Sequence, residues 1–156
     1  MLSIDSNAKI SREIAKYPPE CKASAVMAAL RIAQEEHGWL SVPLMDYIAE
    51  LLGMRPIQVY EVATFYSMYD LKPVGKHKIS ICTNISCMLC GSDTIVKHLE
   101  KRLGIKLGET TPDKKITLME VECLAACCGA PMFQIGKTYY ENLTPQKVDE
   151  ILASLK

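Results

Sequence analysis

Six of the chain's seven cysteines fall in two short stretches. The first, CTNISCMLC at residues 82–90, carries Cys82, Cys87 and Cys90; the second, CLAACC at 123–128, carries Cys123, Cys127 and Cys128. Thiolates are soft ligands and nucleophiles, so grouped thiols point to metal, cluster or redox chemistry. The N-terminal residues MLSIDSNAKI lack the charged-then-apolar layout of a signal peptide, and no apolar run approaches the roughly 18 residues of a membrane span. The expectation is a soluble cytoplasmic protein with no membrane insertion, whose thiols are kept reduced rather than tied into a disulfide framework.

Free cysteine is also a good small core residue. That accounts for Cys21 and for one of the adjacent pair Cys127 and Cys128, but not for six cysteines in two stretches. Three chemistries remain. A structural zinc would take Cys87, Cys90, Cys123 and Cys127 as two knuckles and leave Cys82 unused. A thioredoxin-type reductase would use Cys87 and Cys90 as a CxxC pair at a helix N-terminus and leave the second stretch unused. A [2Fe-2S] cluster needs four thiolates, two per iron, and uses the most of what is present. Its ligand set stays open by spacing: Cys82, Cys87 and Cys90 spell C-x4-C-x2-C, the plant-type ferredoxin run, while Cys82 and Cys87 with Cys123 and Cys127 is the alternative. Gly91, Gly129 and Pro131 suit tight turns beside such a site.

The elements that must position these thiols form two textures. Up to about residue 70 the signals are helical. Val26, Ala29, Leu30 and Ala33 mark one buried face of a helix that follows Pro18 and Pro19 and stops at Gly38. Ser41 and Pro43 open a second helix ending at Gly53. A third starts near Pro56 with Val59, Val62, Ala63 and Tyr66 on one face. After the linker LKPVGKHK the pattern alternates. KISICT is a strand, SDTIVKHLEKRLG a helix with Ser92 as N-cap, KITLMEVE a second strand, and MFQIGKTYYEN a hairpin turning at Gly136 and Lys137. Thr144 and Pro145 open a last helix with Val148, Ile151, Leu152 and Leu155 on one stripe. The order β, α, β, β, α is that of a thioredoxin-like domain. The fold class is therefore α+β, a helical N-terminal region over residues 1–75 followed by a thioredoxin-like α/β domain over 76–156. Each cysteine group follows one strand, so the two groups meet if those strands are neighbours.

CTNISCMLCGSD, followed by VECLAACCGAPMFQIGKTYYENLT, resembles the thioredoxin-like [2Fe-2S] subunits of the NADH:quinone oxidoreductases of respiratory complex I. HGWLSVPLMDYIAELLGM and VYEVATFYSMYDLKPVG are similar to that family's helical region, so the resemblance spans nearly the whole chain. It implies one [2Fe-2S] cluster held by Cys82, Cys87, Cys123 and Cys127. It further implies electron exchange with the flavin of a partner subunit that binds FMN and NADH, and assembly with other iron-sulfur subunits in a peripheral arm at the inner membrane. Related subunits of NAD-linked hydrogenases and formate dehydrogenases share the plan. Two positions depart from the family pattern: Cys90 stands where arginine is frequent, and Ala125 where glycine is. Loss of that positive charge is expected to lower the cluster potential, and Cys128 is not a ligand in the motif.

Lysine plus arginine and aspartate plus glutamate both total 18, so no net charge draws a polyanion and nucleic acid is not an expected partner. No GxGxxG or Walker motif is present, which assigns nicotinamide and flavin to the partner and leaves no independent catalytic site on this chain. His37, His77 and His98 have no metal spacing, and a Rieske centre would need two histidines beside the cysteines; they read as surface or helix-end residues. Lys72, Lys76, His77 and Lys78 read as a solvated linker. Tyr60, Phe65, Tyr66 and Tyr69 form an aromatic group, part core and part interface.

Overall fold

The computed structural model describes residues 2–155. The chain separates into two compact units, one up to Pro73 and one from Val74 onward.

The first unit is helical. Ser3 starts α1 (Ile4–Ile14) by accepting the Ser6 N–H, and its own N–H and hydroxyl both donate to the Glu36 carboxylate at 2.9 Å. After Pro18 and Pro19 the chain makes a 3-10 turn, then α2 (Val26–His37), which stops at a left-handed Gly38. α3 (Val42–Leu52) and α4 (Pro56–Phe65) follow, each with proline in its first turn, where the missing N–H costs nothing. Ile10, Leu30, Ile48, Leu52 and Val59 form the centre of the core. Two expectations fail here. Cys21 is exposed on the 3-10 turn, not part of the core. Tyr66 leaves the α4 face because it is already extended, as that helix's C-cap. Gln34 pins the segment beyond it, donating to the Met68 carbonyl at 2.9 Å and accepting the Asp70 N–H at 2.6 Å.

In the second unit the strand order is β2-β1-β3-β4. β1 (His77–Cys82) runs parallel to β2 (Ile116–Val121) with Cys82 opposite Val121. It is antiparallel to β3 (Phe133–Ile135), which forms the expected hairpin with β4 (Thr138–Tyr140) around Gly136. A parallel pair needs a crossover, and α5 (Ile85–Leu89) and α6 (Ser92–Leu103) supply it. α7 (Pro145–Ser154) starts where Thr144 Oγ1 accepts the Lys147 N–H. Ile79, Ile81, Leu118 and Phe133 from the strands pack with Ile95 and Leu99 of α6 and Val148 of α7 in one core. His98 of α6 lies 2.9 Å from Asp149 of α7, which also accepts from Arg102 at 2.8 Å.

The local readings need three corrections. α5 has no counterpart in the sequence pattern, since five residues are too few to show a helical period. Ser92 is not the N-cap of α6: Gly91, at φ +93°, holds that position, and Ser92 lies inside the helix, fully buried, with its hydroxyl unpartnered among the described residues. β1 starts one residue before the strand read from Lys78, so His77, read as linker, is a strand residue. No helix among the described residues is long and apolar enough to cross a membrane.

Candidate iron-sulfur site

Because β1 and β2 are parallel neighbours in register, both cysteine stretches leave the sheet at the same end, the usual place for a site on parallel strands. Cys82 closes β1 and Cys87 sits in α5; both are buried, and with Met132 they form a small apolar cluster bordered by Leu124, Ala126 and Ala130. Asn84 shapes the first loop by accepting the Ile85 N–H at 2.8 Å. The loop is tied to β2, because Thr83 donates from its hydroxyl to Glu120 at 2.7 Å and from its N–H to the Val121 carbonyl at 3.2 Å. Cys123 and Cys127 lie on the loop after β2, exposed, as are Cys90 at the end of α5 and Cys128.

The thiols interact. Burial opposes ionisation of Cys82, but the N–H groups of Asn84 and Leu124 and the sulfurs of Cys87 and Cys123 outweigh it, and the pKa falls below the ordinary thiol value. Burial and the neighbouring Cys82 push Cys87 the other way, up to about 11, with Cys127 adding to the rise and the Met132 N–H opposing it. Cys82 thus feels Cys87 and Cys123, and Cys87 feels Cys82 and Cys127. The Ala125 N–H also donates to the Cys123 sulfur at 3.3 Å.

Backbone strain marks the second loop. Ala125 adopts φ +57°, the left-handed region that glycine occupies freely and alanine does not. Gly129 was expected to admit a close turn around a cluster; what crowds it is Glu141. A Cβ there would stand 2.5–2.7 Å from that side chain, while the Gly129 carbonyl accepts the Asn142 N–H at 2.7 Å. Pro131 follows a cis peptide, and its carbonyl accepts the Leu143 N–H at 3.0 Å.

The residues fit a [2Fe-2S] cluster in donor chemistry. Four cysteine sulfurs on two loops that leave the sheet at the same end meet the demand for two thiolates per iron, and backbone N–H groups directed at sulfur stabilise the charge such a group carries.

The comparisons agree with that chemistry. The family model for thioredoxin-like [2Fe-2S] ferredoxins matches residues 10–156. An NADH-quinone oxidoreductase subunit of Rickettsia conorii is 51% identical over 152 residues, covering 96% of this chain and 91% of that protein. The corresponding NADH-quinone oxidoreductase subunit of Rhizobium meliloti is 46% identical over 148 residues, covering 95% and 87%. Among solved structures, an NAD+-reducing [NiFe]-hydrogenase in the air-oxidized state superposes with a TM-score of 0.71 at 17% identity, covering 81% of this chain and 22% of the hydrogenase chain, a likeness of fold. Two cysteine-bearing loops at one end of a parallel strand pair, the family model and these nearly full-length relatives lead to one conclusion: the chain belongs to the thioredoxin-like [2Fe-2S] ferredoxin family.

Proposed function

We propose that this chain is the electron-transfer subunit of an NADH-quinone oxidoreductase and holds one [2Fe-2S] cluster through Cys82, Cys87, Cys123 and Cys127. The observation that supports the ligand assignment is the parallel register of β1 and β2, which brings the loop of Cys82 and Cys87 and the loop of Cys123 and Cys127 out at the same end of the sheet, with Cys82 and Cys87 packed in one buried cluster. A bound cluster supplies one-electron redox capacity. The chain supplies the thiolates, the N–H groups that stabilise them, and the buried pocket of Cys82, Cys87 and Met132 that keeps water from one side. Its electrons come from the reduced flavin of a partner subunit that binds FMN and NADH, and further iron-sulfur subunits complete the assembly. The place of action is the peripheral arm of the complex on the cytoplasmic side of the membrane, and the helical region of residues 1–75 and the cluster domain of 76–156 act as separate domains.

The test is iron, acid-labile sulfide and zinc per chain, measured on anaerobically purified protein and on single serine variants of the six clustered cysteines. Two irons and two sulfides are expected in the native chain, in Cys90→Ser and in Cys128→Ser, and loss or spectral change in the other four. Loss in Cys90→Ser with retention in Cys123→Ser or Cys127→Ser moves the assignment to the C-x4-C-x2-C run. Zinc alone in fresh anaerobic protein overturns the electron-transfer reading.

A further inference from the structure

Ser92 carries the buried side-chain oxygen that has no hydrogen-bond partner among the described residues. The residue is 0% exposed and is the first residue of α6. A serine there ordinarily turns its hydroxyl to water or caps the helix; Ser92 does neither. Buried hydroxyls are almost always paired, so an orphan calls for a partner that the polypeptide does not supply, a bound group or a buried water. The direction is set by helix geometry. Ser92 lies on the face of α6 that also carries Ile95 and Leu99 and so faces the sheet. It stands at the end where β1 ends in Cys82, because a crossover helix starts at the end of the strand it follows. α5, which carries Cys87, joins that end of β1 to the start of α6, so Ser92 stands at the same end of the sheet as Cys82 and Cys87. Gly91 has no side chain with which to cap the helix or meet the hydroxyl.

We propose that the Ser92 hydroxyl donates a hydrogen bond to a sulfur of the bound [2Fe-2S] cluster and thereby raises its reduction potential. The inference rests on the cluster reading above. Cluster sulfurs accept hydrogen bonds, and their negative charge grows on reduction, so a donor stabilises the reduced state more than the oxidised one. The same residue therefore has opposite effects in two states of the protein: without the cluster its buried hydroxyl is unsatisfied and destabilising, and with the cluster it is paired.

Ser92→Ala tests both halves. In cluster-loaded protein, a redox titration followed by electron paramagnetic resonance is expected to show a lower potential and an altered reduced-state signal at unchanged iron and sulfide content. In the metal-free full-length chain, the urea midpoint of Ser92→Ala is expected to equal or exceed that of the wild type. An unchanged potential and signal in a fully loaded variant overturns the proposal. So does a lower urea midpoint in the metal-free variant, which would mean that the hydroxyl already has a partner other than the cluster, a protein group or a buried water; this second readout remains available if the variant loads poorly. Failure of the cluster reading itself is a different result, wild-type protein without iron and sulfide.

Discussion

The sulfurs of Cys82 and Cys87 act directly on each other, and their acidities diverge: Cys82 lies below the ordinary thiol range while Cys87 is pushed up to about 11. In the metal-free chain the pair holds one proton more firmly and one less firmly than two isolated thiols, with Cys82 the more acidic of the two. Titration of the metal-free chain by thiolate absorbance is expected to show one step below the usual range and one near pH 11 that vanishes in Cys87→Ala. If the variant's difference curve shows only steps in the ordinary thiol range, the pairing is wrong.

Ala125 spends stability on a left-handed conformation that costs a non-glycine residue about 1–2 kcal/mol. Glycine removes that strain but adds about 0.5–1 kcal/mol of unfolded-state entropy to overcome. Ala125→Gly is therefore expected to stabilise the chain by up to about 1.5 kcal/mol, read as a raised urea midpoint with unchanged slope, and to retain the cluster.

Gly129 is held at hydrogen by the Cβ and Cγ of Glu141, which a new methyl group would meet at 2.6–2.7 Å. Gly129→Ala should cost about 1–3 kcal/mol through overpacking. Combined with Glu141→Ala, most of that loss should return; two simply additive costs would show that Glu141 is not the obstacle.

Cys90 ends α5, exposed, three positions beyond Cys87. Placing a permanent cation there favours the added electron, so Cys90→Arg is expected to raise the reduction potential of the loaded protein. A redox titration without an upward shift would remove Cys90 from the account.

Asp149 joins α6 to α7 by accepting from His98 and Arg102, and these bonds hold its carboxyl below the ordinary range. A carboxyl whose folded pKa is depressed adds stability above its unfolded pKa, near 3.9, and that contribution disappears as pH falls through the lower folded value. Replacing it with asparagine should thus lower the urea midpoint of the metal-free chain at pH 7 and flatten its decline on acidification below about pH 4. A parallel pair of stability curves would show that the contact contributes nothing.

Much of this was legible in one dimension. Helix stops at Gly38 and Gly53, the Thr144 and Pro145 start and the Gly136 hairpin are local chemistry, written in residues that leave the chain few other conformations. The grouping of Cys82 and Cys87 against Cys123 and Cys127 also announced thiolate chemistry before any fold was known. Spacing could not choose between Cys90 and the second loop, because that depends on the parallel register of Cys82 with Val121, a contact between residues 39 positions apart in a chain that must first build α5 and α6 between them. Ser92 shows the same limit: its composition and position suit an N-cap, but the left-handed turn at Gly91 moves the helix start by one residue and carries the hydroxyl into the interior. Cys21 departs from expectation for the converse reason, since burial is decided by what packs over a residue and not by its own hydrophobicity. Sequence alone thus determined which atoms could do the chemistry; tertiary structure decided which of them face one another, because that follows from strand order and helix packing summed over the whole unit.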